Sequence, residues 1–331
     1  MKNRGKLKSI FLVVLSIGLI FSFVASVSAE DQYKICYNNF GQANFFARIG
    51  RTVGINTIKM LGAKPVPSVT AGVPERIEAI ENCVAQNADA IIIQEGDIRQ
   101  AGPALKQADE AGLVIASMGA GKSKYNDLTV ESNEWVMGAK AANYLVTDLM
   151  GGDGKIVGIH NPLGEMIRIR YQELKAVLTE YPDASIESEF VYAWPDFFPD
   201  IKNKMESTLR AHPKPGSLEG VYATFDGAGV AAASAIREAG RQDEFVIVGI
   251  DGDPQAFEEM SKPDSPFKAT VAQQPWVMAE TVVKKVHKLL EGDELARSHF
   301  YIPSELVTQD TLPPKSEWPY PENFENYPES E

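Results

Sequence analysis

The chain has only two cysteines, Cys36 and Cys83, among its 331 residues. That excludes a scaffold stapled by several disulfides. Cys36 falls in an apolar strand and Cys83 on the apolar face of a helix. An oxidising compartment would permit their pairing, but the expectation is two separately buried thiols. Histidine is also scarce. His160, His212, His287 and His299 have no metal-ligand spacing with one another or with cysteine, so no metal site is expected. No Ser-His-Asp elbow and no paired-carboxylate motif stands out, which argues against an enzyme, and no cofactor is expected. Beyond the first eight residues there is no basic cluster, and the formal net charge is −13. Such a surface repels nucleic acid and anionic lipid.

The chain has a single long apolar run, and it lies at the start. Lys2, Arg4, Lys6 and Lys8 precede the stretch Ile10–Val27, which is broken by Ser16, Gly18, Ser22 and Ser26. Val27-Ser28-Ala29 then places small side chains where a signal peptidase needs them. This is the pattern of an export signal cleaved after Ala29. Removing 29 of the 331 residues leaves 302, enough for two domains with their own cores. It also removes four positive charges, taking the formal charge from −13 to −17. A hydrophobic content of 44% with 23% charged residues describes a globular chain.

From Tyr33 onward short apolar runs alternate with amphipathic helical patterns. Strands are expected at 33–37, 64–69, 88–93 and 113–117, with helices between them, and 128–130 reads as a short strand crossing out of the first half. The pattern restarts near residue 133. Strands follow at 155–160, 185–192, 220–224 and 245–250, the segment 267–272 reads as crossing back, and a last helix runs from Trp276 to Leu290. Residues 312–331, rich in Pro, Glu and Asn, read as a surface or partly disordered tail. Strict alternation implies an α/β protein with parallel sheets covered on both faces, here two doubly wound Rossmann-like lobes. Ligands of such sheets sit beyond the carboxyl ends of the strands.

The residues found there recur in type. Asn39 follows the first strand, with Phe45 and Phe46 at the start of the next helix. Gln94-Glu95-Gly96-Asp97 follows the third strand. In the second half come Arg168 and Arg170 on a helix, then Trp194, Phe225-Asp226, Asp251-Gly252-Asp253 and Gln273-Gln274. Amides, carboxylates and a guanidinium suit adjacent hydroxyls, and flat rings suit the C–H face of a sugar. Arg170 is favoured over Arg168 for the pocket. One rival motif is Ala116-Ser117-Met118-Gly119-Ala120-Gly121-Lys122-Ser123, which resembles a phosphate-binding loop with Ala in its first Gly place. Such a loop needs a helix directly after it, whereas Lys124-Tyr125-Asn126-Asp127 reads as a turn.

Over residues 31–310 the chain resembles the periplasmic sugar-binding proteins of ABC transporters, in the ribose-binding-like branch. The likeness rests on the strand with Phe45-Phe46, Ser132-Asn133 with Gly138, and Arg170. It also rests on Ala211-His212-Pro213, Val248-Gly249-Ile250-Asp251-Gly252 and Ala269-Thr270-Val271-Ala272-Gln273. The resemblance implies the type I periplasmic binding protein fold, with two lobes joined by a three-segment hinge. The first lobe would take 31–132 plus 274–303 and the second 133–273 plus 304–312, leaving 313–331 as the tail. It implies Phe45 and Phe46 on one face of the ligand and Trp194 on the other. Arg170, Asp251 and Gln273 would bind hydroxyls, with Asn39, Gln94, Phe225 and Asp226 around them. Ribose-binding relatives carry an Asp-Arg pair where Met118-Gly119 stands here, and an Asn where Phe225 stands, which argues against ribose itself. The expected role is a monomeric exported receptor that delivers a sugar-like molecule to a membrane permease. The alternatives are a sensor that docks a receptor without transport, and a repressor, which would need a DNA-binding motif where the apolar run lies.

Overall fold

The computed structural model describes residues 32–318 and 320. The first half alternates strictly. β1 (Lys34–Phe40) leads to α1 (Phe45–Met60), β2 (Lys64–Thr70), α2 (Val73–Ala85), β3 (Ala90–Gln94), α3 (Gly102–Glu110), β4 (Val114–Met118) and β5 (Leu128–Glu131). The four-residue run Ala90-Ile91-Ile92-Ile93 is wholly buried, as a central parallel strand must be when helices cover both faces. β2 contains Pro65 and Pro67 and sits at the sheet edge, where a missing N–H breaks no ladder. No helix follows β4. The loop after it runs straight into β5, so the segment 116–123 lacks the helix a phosphate-binding loop requires.

The second half repeats the scheme. α4 (Glu134–Asn143) precedes β6 (Gly154–His160), α5 (Glu165–Leu178), β7 (Ala184–Val191), α6 (Phe197–Ala211), β8 (Gly220–Ala223), α7 (Asp226–Glu238), β9 (Val246–Asp251), α8 (Pro254–Met260) and β10 (Phe267–Ala272). α9 (Pro275–Leu290), β11 (His299–Tyr301) and β12 (Glu305–Thr308) complete the described elements. Two six-stranded sheets result, ordered β11-β5-β4-β3-β1-β2 and β12-β10-β9-β8-β6-β7. Every pairing is parallel except β10 with β12. The chain passes between the sheets after β5, after β10 and after β11. Each sheet has an apolar core on both faces. In the first, Val53 of α1 and Val282 of α9 pack on one side, and Ile80 of α2 and Leu105 of α3 on the other. In the second, Ile201 and Ala232 of α6 and α7 lie opposite Met137 and Leu174 of α4 and α5.

Three expectations are corrected. Cys36 on β1 and Cys83 on α2 form a disulfide rather than two separate thiols. The strands at 128–131 and 267–272 are full parallel members of their sheets, with the crossings just beyond them. The start of the tail is packed. Trp318 and Tyr320 lie against Phe257 of α8, and the Tyr320 ring also meets Phe45 of α1 and Trp276 of α9. Its hydroxyl donates to the Gly252 carbonyl. The export signal and the rest of the tail lie outside the described residues.

The disulfide closes a loop with a sequence separation of 47. On the chain-entropy account this stabilises the fold by about 4 kcal/mol. Thermal melts of the oxidised protein against the reduced protein or Cys83→Ser should show a clear drop in Tm; unchanged melting would remove the bond from the stability argument.

Candidate functional site

The carboxyl ends of both sheets face each other across a narrow cleft with a cavity volume of about 50 Å³. The first lobe contributes Phe40 from the end of β1, Asn44 and Phe46 from the start of α1, and Glu95 and Gly96 after β3. The second contributes Asn161, Leu163, Met166, Ile167 and Arg170 from the β6–α5 region, Tyr192 and Trp194 after β7, Phe225 after β8, and Asp251 ending β9.

Arg170 is the electrostatic centre of the second lobe. Its side chain is 1% exposed. Nε donates to Glu134 Oε2 at 2.6 Å, and Nη1 donates to Asp251 Oδ1 and the Thr224 carbonyl, each at 2.9 Å. Burial by itself would lower the guanidinium pKa, but Glu134 and Asp251 outweigh it and hold Arg170 charged. Asp251 sits at φ +136°, a strained value for a non-glycine residue, and Gln273 Nε2 holds its Oδ1 at 2.7 Å. Burial pushes the Asp251 carboxyl upward, against the pull of Arg170.

Aromatic rings form the walls. Tyr192 and Phe225 lie 5.1 Å apart, Phe197 meets Phe225 edge-on at 4.9 Å, and Trp194 stacks on Phe197 at 6.0 Å. The Trp194 indole also reaches the first lobe. A Cβ placed on Gly41 (φ +85°) would come within 2.8 Å of it, so both the turn and the close approach require glycine there.

Glu95 is the polar group of the first-lobe wall. The chain turns through φ +59° at Glu95 and +79° at Gly96, aiming the carboxyl into the cleft. Oε1 accepts from Asn44 Nδ2 at 3.1 Å, and Oε2 is buried with no partner among the described residues. Burial pushes its pKa up to about 8, opposed by the Asn44 hydrogen bond.

Phe46, Arg170, Trp194, Phe225 and Asp251, expected from the sequence, all line the cleft. The other expected residues do not. Gln94 accepts from the Tyr37 hydroxyl at 2.8 Å and donates to the Phe46 carbonyl at 3.2 Å, behind the wall. Asn39 donates to the Ala47 carbonyl at 2.8 Å. Both therefore fix the start of α1 and hence Phe46. Phe45 turns away toward Tyr320. Asp226 accepts from Thr270 Oγ1 and the Asp253 amide, each at 2.8 Å, beneath the cleft floor. Gln273 acts through Asp251. Asn161, Tyr192 and the Leu163–Ile167 turn were not singled out from the sequence, and Glu95 was noted after the third strand but not assigned to the pocket; the Gly beside Glu95 and the Asn-Pro-Leu-Gly after β6 are their only local signals.

Glu95 links stability to pH. A carboxyl raised to about 8 from 4.5 holds its proton in the folded state where the unfolded chain has lost it. Its contribution is complete at low pH and declines as pH rises through that window. Glu95→Gln cannot lose a proton, so its Tm relative to the unaltered protein should climb by a few degrees between pH 5 and 8. A constant offset across that range would show that Glu95 titrates normally.

The comparisons with known proteins agree with this geometry. The model of the periplasmic binding protein domain matches residues 39–294. The chain is 26% identical over 248 residues to the xylitol-binding protein of Mycolicibacterium smegmatis, covering 74% of this chain and 68% of that one. It is 24% identical over 219 residues to the ribose import binding protein of Escherichia coli, covering 65% and 70%. Among solved structures, an ABC transporter solute-binding protein from Agrobacterium vitis with bound allitol superposes with a TM-score of 0.80 at 28% identity, covering 85% of this chain and 97% of that chain. An ABC sugar transporter subunit from Rhodobacter sphaeroides gives 0.79 at 26% identity, covering 84% and 98%. With two mostly parallel α/β sheets facing across a shared cleft, the chain belongs to the periplasmic binding protein family.

Proposed function

We propose that this chain is an exported receptor that captures a sugar or polyol between its lobes and delivers it to an ABC transporter permease. The observation that carries the reading is the cleft itself. Aromatic faces from both lobes (Phe46 and Trp194) flank a guanidinium–carboxylate floor (Arg170 and Asp251). Rings stack on the C–H face of a sugar while the charged groups bind adjacent hydroxyls. The relatives named for xylitol and ribose, and the neighbour holding allitol, support that ligand class. No bond is made or broken in this role. The basic start and apolar run of residues 2–27 support export, with the mature chain beginning at Glu30.

A ligand touching both lobes binds the closed form better, and that difference is what drives closure. Charged groups at the cleft mouth assist it. Arg168 Nη2 lies 2.5 Å from Asp97 Oδ2, Arg99 lies 3.2 Å from Glu165, and the Glu165 amide donates to the Gly96 carbonyl at 3.0 Å. Each contact joins the first lobe to the second. Burial raises the Asp97 carboxyl, but its bonds to Arg99 and Arg168 overcome this and hold it below its ordinary value, so the latch stays charged at neutral pH.

A thermal-shift screen of the mature protein against pentoses, hexoses, deoxysugars and polyols should raise Tm for at least one member through mass action. Trp194→Ala should then weaken that ligand by several-fold to about a hundredfold in calorimetry, the worth of a buried aromatic face. A screen with no response from any member would overturn the receptor reading. Asp97→Asn should speed ligand release in stopped-flow measurements, with the gap to the unaltered protein narrowing in high salt. Equal release rates at low salt would show that the latch does not hold the closed form.

A further inference from the structure

The lining of the cleft is weighted toward apolar side chains. Asn161 lines the cleft and is held in place at both ends of its amide: Nδ2 donates to the Tyr192 carbonyl at 2.8 Å and Oδ1 accepts from the Leu163 amide at 2.9 Å. Asn44 is likewise engaged, accepting from the Ala47 amide at 2.7 Å and donating to Glu95. Arg170 spends Nε and Nη1 within the protein. Among the described residues, the buried polar side-chain atoms of the lining that lack a partner are Glu95 Oε2, Arg170 Nη2 and Trp194 Nε1. The Asp251 carboxylate and the Tyr192 hydroxyl line the cleft beside them, and a ligand with a few hydroxyls satisfies this set.

The opposite side of the cleft is apolar. Leu163 stands just before the N-cap Gly164, Met166 and Ile167 stand in the first turn of α5, and all three line the cleft. Met166 belongs to the second lobe yet packs into the first-lobe core beside Phe46. A Cβ on Gly119 would lie 3.0 Å from Met166 Sδ and 3.3 Å from Phe46 Cζ, so the two side chains meet over the end of β4. Met118 is buried beneath them, its sulfur 3.4 Å from the Tyr37 hydroxyl oxygen. Leu163 remains 46% exposed, an aliphatic rim where a polyhydroxylated ligand would be expected to meet polar side chains.

We infer that the ligand is amphiphilic: a sugar or polyol bearing an apolar substituent such as a deoxy methyl, an O-methyl or a methylthio group. Its few hydroxyls meet Glu95, Arg170 and Asp251, and its apolar end rests on Phe46, Leu163, Met166 and Ile167. This rests on the sugar-receptor reading and narrows it.

Calorimetry on the mature protein with matched pairs tests it. The pairs are ribose against 5-methylthioribose, hexoses against their 6-deoxy forms, and free sugars against methyl glycosides. The substituted member of at least one pair should bind about tenfold tighter, the worth of one or two apolar groups in a fitted pocket. Leu163→Asn, at an exposed position that folding tolerates, should cut that ratio to about threefold or less. If every unsubstituted parent binds as tightly as its partner, or if the ratio is unmoved in Leu163→Asn, the inference falls while the receptor reading stands. If no member of any pair binds, both fall together.

Discussion

The buried chain Glu134–Arg170–Asp251 is the constraint around which the second lobe is arranged. A guanidinium this deep is stable only when carboxylates and carbonyls surround it. Those partners come from the start of α4, the end of β8 and the end of β9. One side chain thus ties three elements at the carboxyl edge of the sheet, and it leaves one nitrogen turned toward the cleft. Tyr222 adds to the same knot from below, donating to the backbone carbonyls of Arg170 and Gly138. The position of the floor is therefore set by folding, before any ligand arrives.

The first lobe solves the same problem differently. Arg76 is buried there without a carboxylate in direct contact. It donates to the carbonyls of Gln94 and Glu95 and to Asn38 Oδ1, and lies over the Phe40 ring. It clamps the turn that carries Glu95, so the positive-φ geometry there is held by a side chain rather than by glycine alone. Burial lowers the Arg76 pKa to about 10, which still leaves it charged at physiological pH. Both walls thus rest on a buried guanidinium, one bonded to carboxylates and the other to amide and backbone oxygens.

The architecture was legible because its signal is periodic. Uninterrupted apolar runs such as Ala90–Ile93, followed by amphipathic stretches, admit little besides a covered parallel sheet. The restart near residue 133 marked the second lobe. Trp194, Phe225 and Asp251 were legible as cleft candidates because they stand at or just after strand ends, whereas Phe46 and Arg170 lie on the helices that follow. Gln94 and Glu95 show the limit of that rule. They are neighbours, and only the left-handed turn at Glu95 decides which side chain enters the cleft, a dihedral that composition does not reveal. The Cys36–Cys83 bond escaped for a related reason: 47 residues of separation carry no information about distance until β1 and α2 are packed. The apolar turn at Leu163–Ile167 carries no periodic signal of its own, and only the packing of Met166 beside Phe46 gives it meaning.

Tyr320 has a consequence for how the molecule moves. Its ring sits among Phe45 and Trp276 on one side and Phe257 and Trp318 on the other, with its hydroxyl fastened to the Gly252 carbonyl. These neighbours belong to both lobes, near the segments that connect them. A swing of the lobes must either turn about this ring or strip one set of its contacts. The aromatic cluster is thus a further, non-covalent link between the lobes, contributed by the tail, and the closing motion proposed above would have to slide those rings past one another.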